Sequence, residues 1–199
     1  MQNLLIALCL AAPVAVGGQE QTLVGSGQVT HGGYGGPVVR FTSIRGEGAV
    51  MAGGRGGWII NHKFVIGGGG YALTSTVDSR MPGPLGEPYI EFSYGGAILE
   101  YVVNSDRVVH SSVELLIGSG AIAHRSDWED GGWGEGRGGR EDLVSVIEPG
   151  VTVDLNVTTW FRLSAGASYR FVSGARRGIA TNSDVSSASG SLIFRFGKF

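Results

Sequence analysis

The sequence predicts an all-β chain, an eight-stranded antiparallel up-and-down transmembrane β-barrel. Three observations predict it. Apolar and polar residues alternate with a period of two through eight segments between residue 37 and the last residue. The breaks between those segments alternate in length, as hairpins closing at two ends of a cylinder require. The polar face is made of Gly, Ser and Ala with isolated Arg, Glu and Asp, whereas a water-facing sheet carries Lys, Thr, Glu and Gln.

Taken in order, residues 1–17 read as a signal peptide. Leu4 to Val16 is apolar but too short to cross a ~30 Å bilayer as a helix. Ala15-Val16-Gly17 fits the small-x-small cleavage rule, although Met1-Gln2-Asn3 holds no basic residue. Residues 18–36, with Gly32-Gly33-Tyr34-Gly35-Gly36, read as a flexible Gly-rich leader, and 37–199 as the outer-membrane β-barrel. Its strands are expected at 37–45, 48–60, 64–76, 88–102, 108–123, 142–155, 160–173 and 187–197. The first is short and only Gly46-Glu47-Gly48 separates it from the second, so seven strands is the alternative count. Short turns fall at Asn61-His62-Lys63, Asn104-Ser105-Asp106-Arg107 and Asn156-Val157-Thr158-Thr159, and longer loops at about 77–87, 125–141 and 174–186.

Parity sorts each strand into two faces. In the seventh, Phe161, Leu163, Ala165, Ala167, Tyr169 and Phe171 oppose Arg162, Ser164, Gly166, Ser168 and Arg170. In the sixth, Leu143, Ile147, Val151, Val153 and Leu155 oppose Glu148, Gly150, Thr152 and Asp154. Small residues suit the narrow lumen of an eight-strand barrel, and its ions balance: Arg55, Arg162, Arg170 and Arg195 against Glu91, Glu114, Glu148 and Asp154. Only Lys63 and Lys198 among the 15 basic residues are lysines, a bias toward the fixed, paired sites that Arg suits. Trp58, Phe64, Tyr101, Trp160 and Phe161 near the short turns, and Tyr71, Tyr89, Tyr169 and Phe171 toward the long loops, are expected to form two aromatic girdles. A closed cylinder is the one way a β-protein satisfies its backbone in hydrocarbon.

Composition narrows the chemistry. With 15 Lys+Arg against 17 Asp+Glu the net charge is -2, so no nucleic-acid partner is expected. The 36 glycines come without a Gly-X-Y period and with only 6 prolines, which excludes collagen. Cys9, the only cysteine, lies in the signal peptide, which leaves the mature chain without thiol chemistry. His31, His62, His110 and His124 are scattered without metal-ligand spacing, so no metal and no cofactor is assigned.

On these features the chain resembles the small bacterial outer-membrane β-barrels of the OmpA-transmembrane and OmpX type, over about residues 36–199. The final strand Leu192-Ile193-Phe194-Arg195-Phe196-Gly197-Lys198-Phe199 ends on Phe, similar to the signal read by the outer-membrane assembly machinery. Counted back from Phe199, however, the alternate positions are Gly197 and Arg195, and Phe196, Phe194 and Leu192 are one residue out of phase.

Three constellations bear on function. His110, Ser112 and Glu114 share a strand face and resemble the His-x-Ser element of outer-membrane lipid A deacylases. Parity puts them in the lumen near the periplasmic end, away from outer-leaflet lipid, so a polar lumen network is the preferred reading and no catalytic residue is assigned. Gly53 to Gly57 and Gly67 to Gly70 open no helix, and read as bends or close packing rather than phosphate loops. The loop holding Asp127, Trp128, Glu129, Asp130, Trp133 and Glu135 is a candidate for contact with an extracellular protein or glycan, or for a Ca²⁺ ion, although its spacing matches no EF-hand. The expected role is structural, adhesive or partner-docking through the loops, with outer-membrane lipid as surroundings. The alternatives are a lipid-modifying enzyme and a soluble secreted barrel or sandwich.

Overall fold

The computed structural model describes residues 29–77, 89–125, 141–175 and 180–199. The signal peptide, residues 18–28 of the leader and the loop with Trp128 and Trp133 lie outside the described residues, as does the side chain of Tyr89. The strands are β1 (His31–Ile44), β2 (Glu47–Ile60), β3 (Phe64–Leu73), β4 (Tyr89–Val103), β5 (Val109–Arg125), β6 (Glu141–Asn156), β7 (Phe161–Ser173) and β8 (Ser187–Lys198), with a one-turn helix α1 (Asn182–Val185) before β8. Each strand pairs antiparallel with the next, and β8 returns to β1, with Gly33 opposite Lys198 and Phe41 opposite Gly190. The barrel is closed, so no strand edge is left unpaired.

Local chemistry sets the hairpins. Arg45 and Gly46, at φ 55° and 80°, make a two-residue turn whose positive φ values match the right-handed twist of the strands. Asn61, His62 and Asn104 take the left-handed region at the short turns, which asparagine tolerates better than most residues. The turns after β2, β4 and β6 share one end with the start of β1 and the end of β8. We call this the turn end and the opposite one the loop end.

β1 begins at His31, six positions before the expected strand, so Gly32 to Gly36 belong to the wall rather than to the leader. The reason is steric. Gly36 packs so closely on β8 that an added Cβ would lie 1.7 Å from the Phe194 carbonyl oxygen, a contact that sequence composition reads as flexibility. The outer side of the barrel carries the apolar list: Leu143 is 77 % exposed, Val151 55 %, Phe171 54 % and Ile117 50 %. Arg170 and Glu148, on the opposite parity, are buried.

The lumen differs from the expectation in its filling and in some of its members. Toward the loop end it is an apolar core containing Ile44, Met51, Ile90, Phe92, Ile122, Val144, Val146 and Val172, not a cavity lined by small residues alone. Tyr71, expected in the outer girdle, points inward and is buried in this core. Trp58, Tyr101 and Trp160 do face outward near the turn end, where Trp160, Phe161 and Phe196 stack with centroids 5.0 to 6.1 Å apart.

Candidate functional site

The polar lumen is the place where chemistry-bearing side chains converge, and they form two connected clusters. Nearer the turn end, Glu100 of β4 accepts from Arg195 Nη1 at 2.7 Å and from Arg55 Nη2 and the Tyr34 hydroxyl at 3.3 Å each. Arg55 Nη2 also reaches Glu114 Oε2 at 2.6 Å, and Arg195 Nη2 reaches Asp154 Oδ1 at 3.4 Å. Asp154 is further clothed by hydroxyls, accepting from Ser112 at 2.8 Å, from Thr152 at 3.1 Å and from Ser164. The Arg195 guanidinium lies 4.8 Å from the Tyr34 ring centroid.

Midway up the lumen, Glu148 of β6 accepts from Tyr94 at 2.6 Å, from Ser168 and from Arg40 of β1. Arg40 donates to the Tyr94 oxygen at 2.7 Å and stacks 3.8 Å over the Tyr71 ring. A planar guanidinium can serve a carboxylate and an aromatic face together, which an ammonium cannot do as well, so the arginine bias of the sequence has its physical reason here.

Of the expected lumen ions, the structure brings Arg55, Glu114, Asp154 and Arg195 into one network, and places Glu148 with Arg40. Arg170 is buried higher, against Met51, Thr42 and the backbone of α1. Arg162 is half-buried at the turn end, 3.9 Å over the ring of Phe199. Glu91 is corrected: it shares the parity of Ser93 and Leu99 on the outer side, while Ile90, Phe92 and Tyr94 point inward. Both faces of β4 carry an acid and an aromatic, so parity within that strand is ambiguous. The hairpin register resolves it, because Glu100 pairs directly with Glu114 across the β4–β5 ladder and must share its face. Counting back from the Asn104 turn is the signal that would have found Glu100. Arg40 was accessible the same way, two residues from the buried Val38.

Phe199 explains the phase slip of the last strand. Its ring packs inward against Tyr34, 6.3 Å between centroids, beside a small turn-end core of Tyr34, Ile59, Val65 and Val102. Phe196 and Leu192 face outward instead.

The His110, Ser112, Glu114 group is pulled apart. Ser112 gives its hydroxyl hydrogen to Asp154, and His110 Nδ1 lies 3.2 Å from the Arg107 carbonyl oxygen. A nucleophile needs an activating base and access for substrate; the Ser112 hydroxyl is bonded to Asp154, a carboxylate already engaged by Arg195, Thr152 and Ser164, and at 1 % exposure it gives substrate no access. Among the described residues no group of three or more His, Cys, Asp or Glu is placed to hold a metal.

Solved structures share this architecture. Neisserial surface protein A matches with a TM-score of 0.55 at 13% identity, over 87% of this chain and 100% of that one. The N-terminal β-barrel domain of OprF from Pseudomonas aeruginosa matches at 0.50 and 9% identity, over 85% and 99%. Ail, the attachment invasion locus protein of Yersinia pestis, in complex with the heparin analogue sucrose octasulfate, matches at 0.50 and 13% identity, over 84% and 97%. No protein-family model matches the sequence, and no curated protein matches it. The fold is that of the small eight-stranded outer-membrane β-barrels of the OmpA/OmpX type.

Proposed function

We propose that the chain is an outer-membrane barrel, exported by a signal peptide of residues 1–17, whose lumen is structural and whose working surface is its loops. The observation that carries this reading is the inversion of the usual soluble pattern. Val151, Phe171 and Ile117 stand on the outside, while Arg40, Arg55, Arg195, Glu100, Glu148 and Asp154 are buried and bound to one another. An apolar exterior over a closed hydrogen-bonded cylinder suits hydrocarbon and not water. Conduction through the lumen is opposed by its packing, since apolar clusters that include Phe199 at one end and Val185 at the other close it. The buried, carboxylate-bound Ser112 opposes a lipid-hydrolase reading.

Docking is assigned to the loop of residues 126–140. Trp128 and Trp133 are the aromatic anchors, and Asp127, Glu129, Asp130 and Glu135 outnumber Arg137 and Arg140. The Ail structure holds a sulfated sugar, but this loop is acidic, so a neutral glycan or a basic protein surface fits it better than a polyanion. Two measurements test the reading. Detergent-solubilised protein should migrate differently on SDS gels before and after boiling, and aqueous solubility without that shift would overturn the membrane assignment. Trp128→Ala with Trp133→Ala should abolish binding to arrayed neutral glycans or basic proteins while leaving the gel shift intact; unchanged binding would remove this loop as the contact.

A further inference from the structure

The loop end of the lumen is closed by the chain itself. Residues 180–186 cross from the β7 side to β8, and Ala180 and Val185 are buried in the same core as Ile44, Ile90, Ile122 and Val146. Hydrogen bonds at the rim hold this segment: Arg45 N–H donates to the Asp184 carbonyl at 2.7 Å, Val172 N–H to Ser186 Oγ at 2.9 Å, and Ala175 N–H to Asn182 Oδ1 at 3.0 Å. One further tie comes from below, where Arg170 Nε donates to the Val185 carbonyl at 2.8 Å.

Arg170 is unlike the other buried arginines. Arg40, Arg55 and Arg195 each reach a carboxylate. Arg170, fully buried, has none at ion-pair distance among the described residues. Its partners are the Val185 carbonyl, Met51 Sδ and Thr42 Oγ1 at 3.4 Å each, and the faces of Phe92 and Tyr94 at 5.0 and 5.3 Å. A buried cation without a counter-ion is costly, and a peptide carbonyl compensates it only in part. Val185 therefore presents two things to this cup: an oxygen acceptor for a guanidinium, and an aliphatic group among apolar walls. Those are the two parts of an aliphatic carboxylate, except that the carboxylate would also bring a negative charge into direct contact with Arg170, which Glu148 meets only through Tyr94.

We propose that the loop-end half of the lumen is a binding site for an aliphatic carboxylate, held closed by Val185 acting as an internal stand-in for that ligand. The carboxylate takes the place of the Val185 carbonyl on Arg170, and its tail runs outward between Ile90, Phe92, Ile122, Val144 and Val146. Three strand residues separate Arg170 from the end of β7 at Ser173, roughly 10 Å at ~3.3 Å per residue, which suits a medium-chain tail. Entry requires residues 180–186 to lift. Their helix is a single turn, too short to persist without its contacts, so they come away as a segment rather than as a rigid body. The site depends only on the barrel and is independent of the docking loop.

The test uses the folded full barrel without residues 1–17 in detergent micelles, titrated with octanoate and followed by NMR signals of Val185 and the Arg170 side chain. Asn182→Ala with Ser186→Ala removes two rim ties and should strengthen octanoate binding at least tenfold. Arg45→Cys with Asp184→Cys, oxidised, staples the segment shut and should abolish it. Arg170→Met in the loosened background should lose at least tenfold, while octanol, which lacks the charge, should bind the loosened chains with and without Arg170 alike. Equal binding to stapled and loosened chains, or octanoate binding indifferent to Arg170, would overturn the proposal. The heated-gel shift checks that each variant folds, and Ser186→Ala alone serves if the double variant does not.

Discussion

Arg195 of β8 donates to Glu100 of β4 at 2.7 Å, tying together two strands that are not neighbours in the barrel wall. Backbone ladders join only adjacent strands, so this pair braces the cylinder across its interior. The bond is buried at both ends and belongs to a network that also holds Arg55, Tyr34 and Asp154, although Arg195 Nε and Nη2 make no hydrogen bond within it.

Removing one member should therefore cost much more than removing the pair. Glu100→Ala leaves Arg55 and Arg195 facing each other with less counter-charge, and is expected to destabilise the barrel by about 3–5 kcal/mol. Arg195→Met with Glu100→Leu should recover most of that loss. Urea unfolding in lipid vesicles, read by tryptophan fluorescence, measures both; equal losses in the single and double variants would mean the network is not coupled.

Gly118 faces Gly96 across the β4–β5 ladder, and a Cβ on Gly118 would sit 2.0 Å from the Gly95 carbonyl oxygen and 2.6 Å from the Gly96 Cα. Backbone cannot retreat from such a contact without breaking the ladder. Gly118→Val should abolish the folded, heat-modifiable band on SDS gels, whereas Ser119→Val on the neighbouring outward position should leave it in place.

Outward positions should behave according to a hydrocarbon environment. Ile117→Arg, halfway along β5 on the exposed face, is expected to cost about 2–4 kcal/mol in a bilayer, as charges near the midplane of membrane barrels do. A cost below about 1 kcal/mol, measured by unfolding in vesicles, would place that face in water or at the interface.

Ser112→Ala should lose one buried hydrogen bond to the charged Asp154, about 1.5–3 kcal/mol of stability. Because the hydroxyl serves that carboxylate, the lipid composition of membranes carrying the variant should match that of wild type. A change in lipid acylation that follows Ser112 would revive the hydrolase reading.

The sequence by itself determined the hairpin order, a count of eight strands with seven as its alternative, and, for most strands, which residues face outward; closure of β8 on β1 decided the count. Those properties rest on a side-chain period of two and on turn chemistry at Asn61 and Asn104, both of which act over a few neighbouring residues. Tertiary structure decided the start of β1 in a glycine run, the inward turn of Tyr71 and Phe199, the outward turn of Glu91, and the choice of Glu100 and Arg40 as ion partners. Each of these depends on register between strands and on how closely two backbones approach across a curved wall. Such distances join residues far apart in the chain, and no pattern local to one strand encodes them.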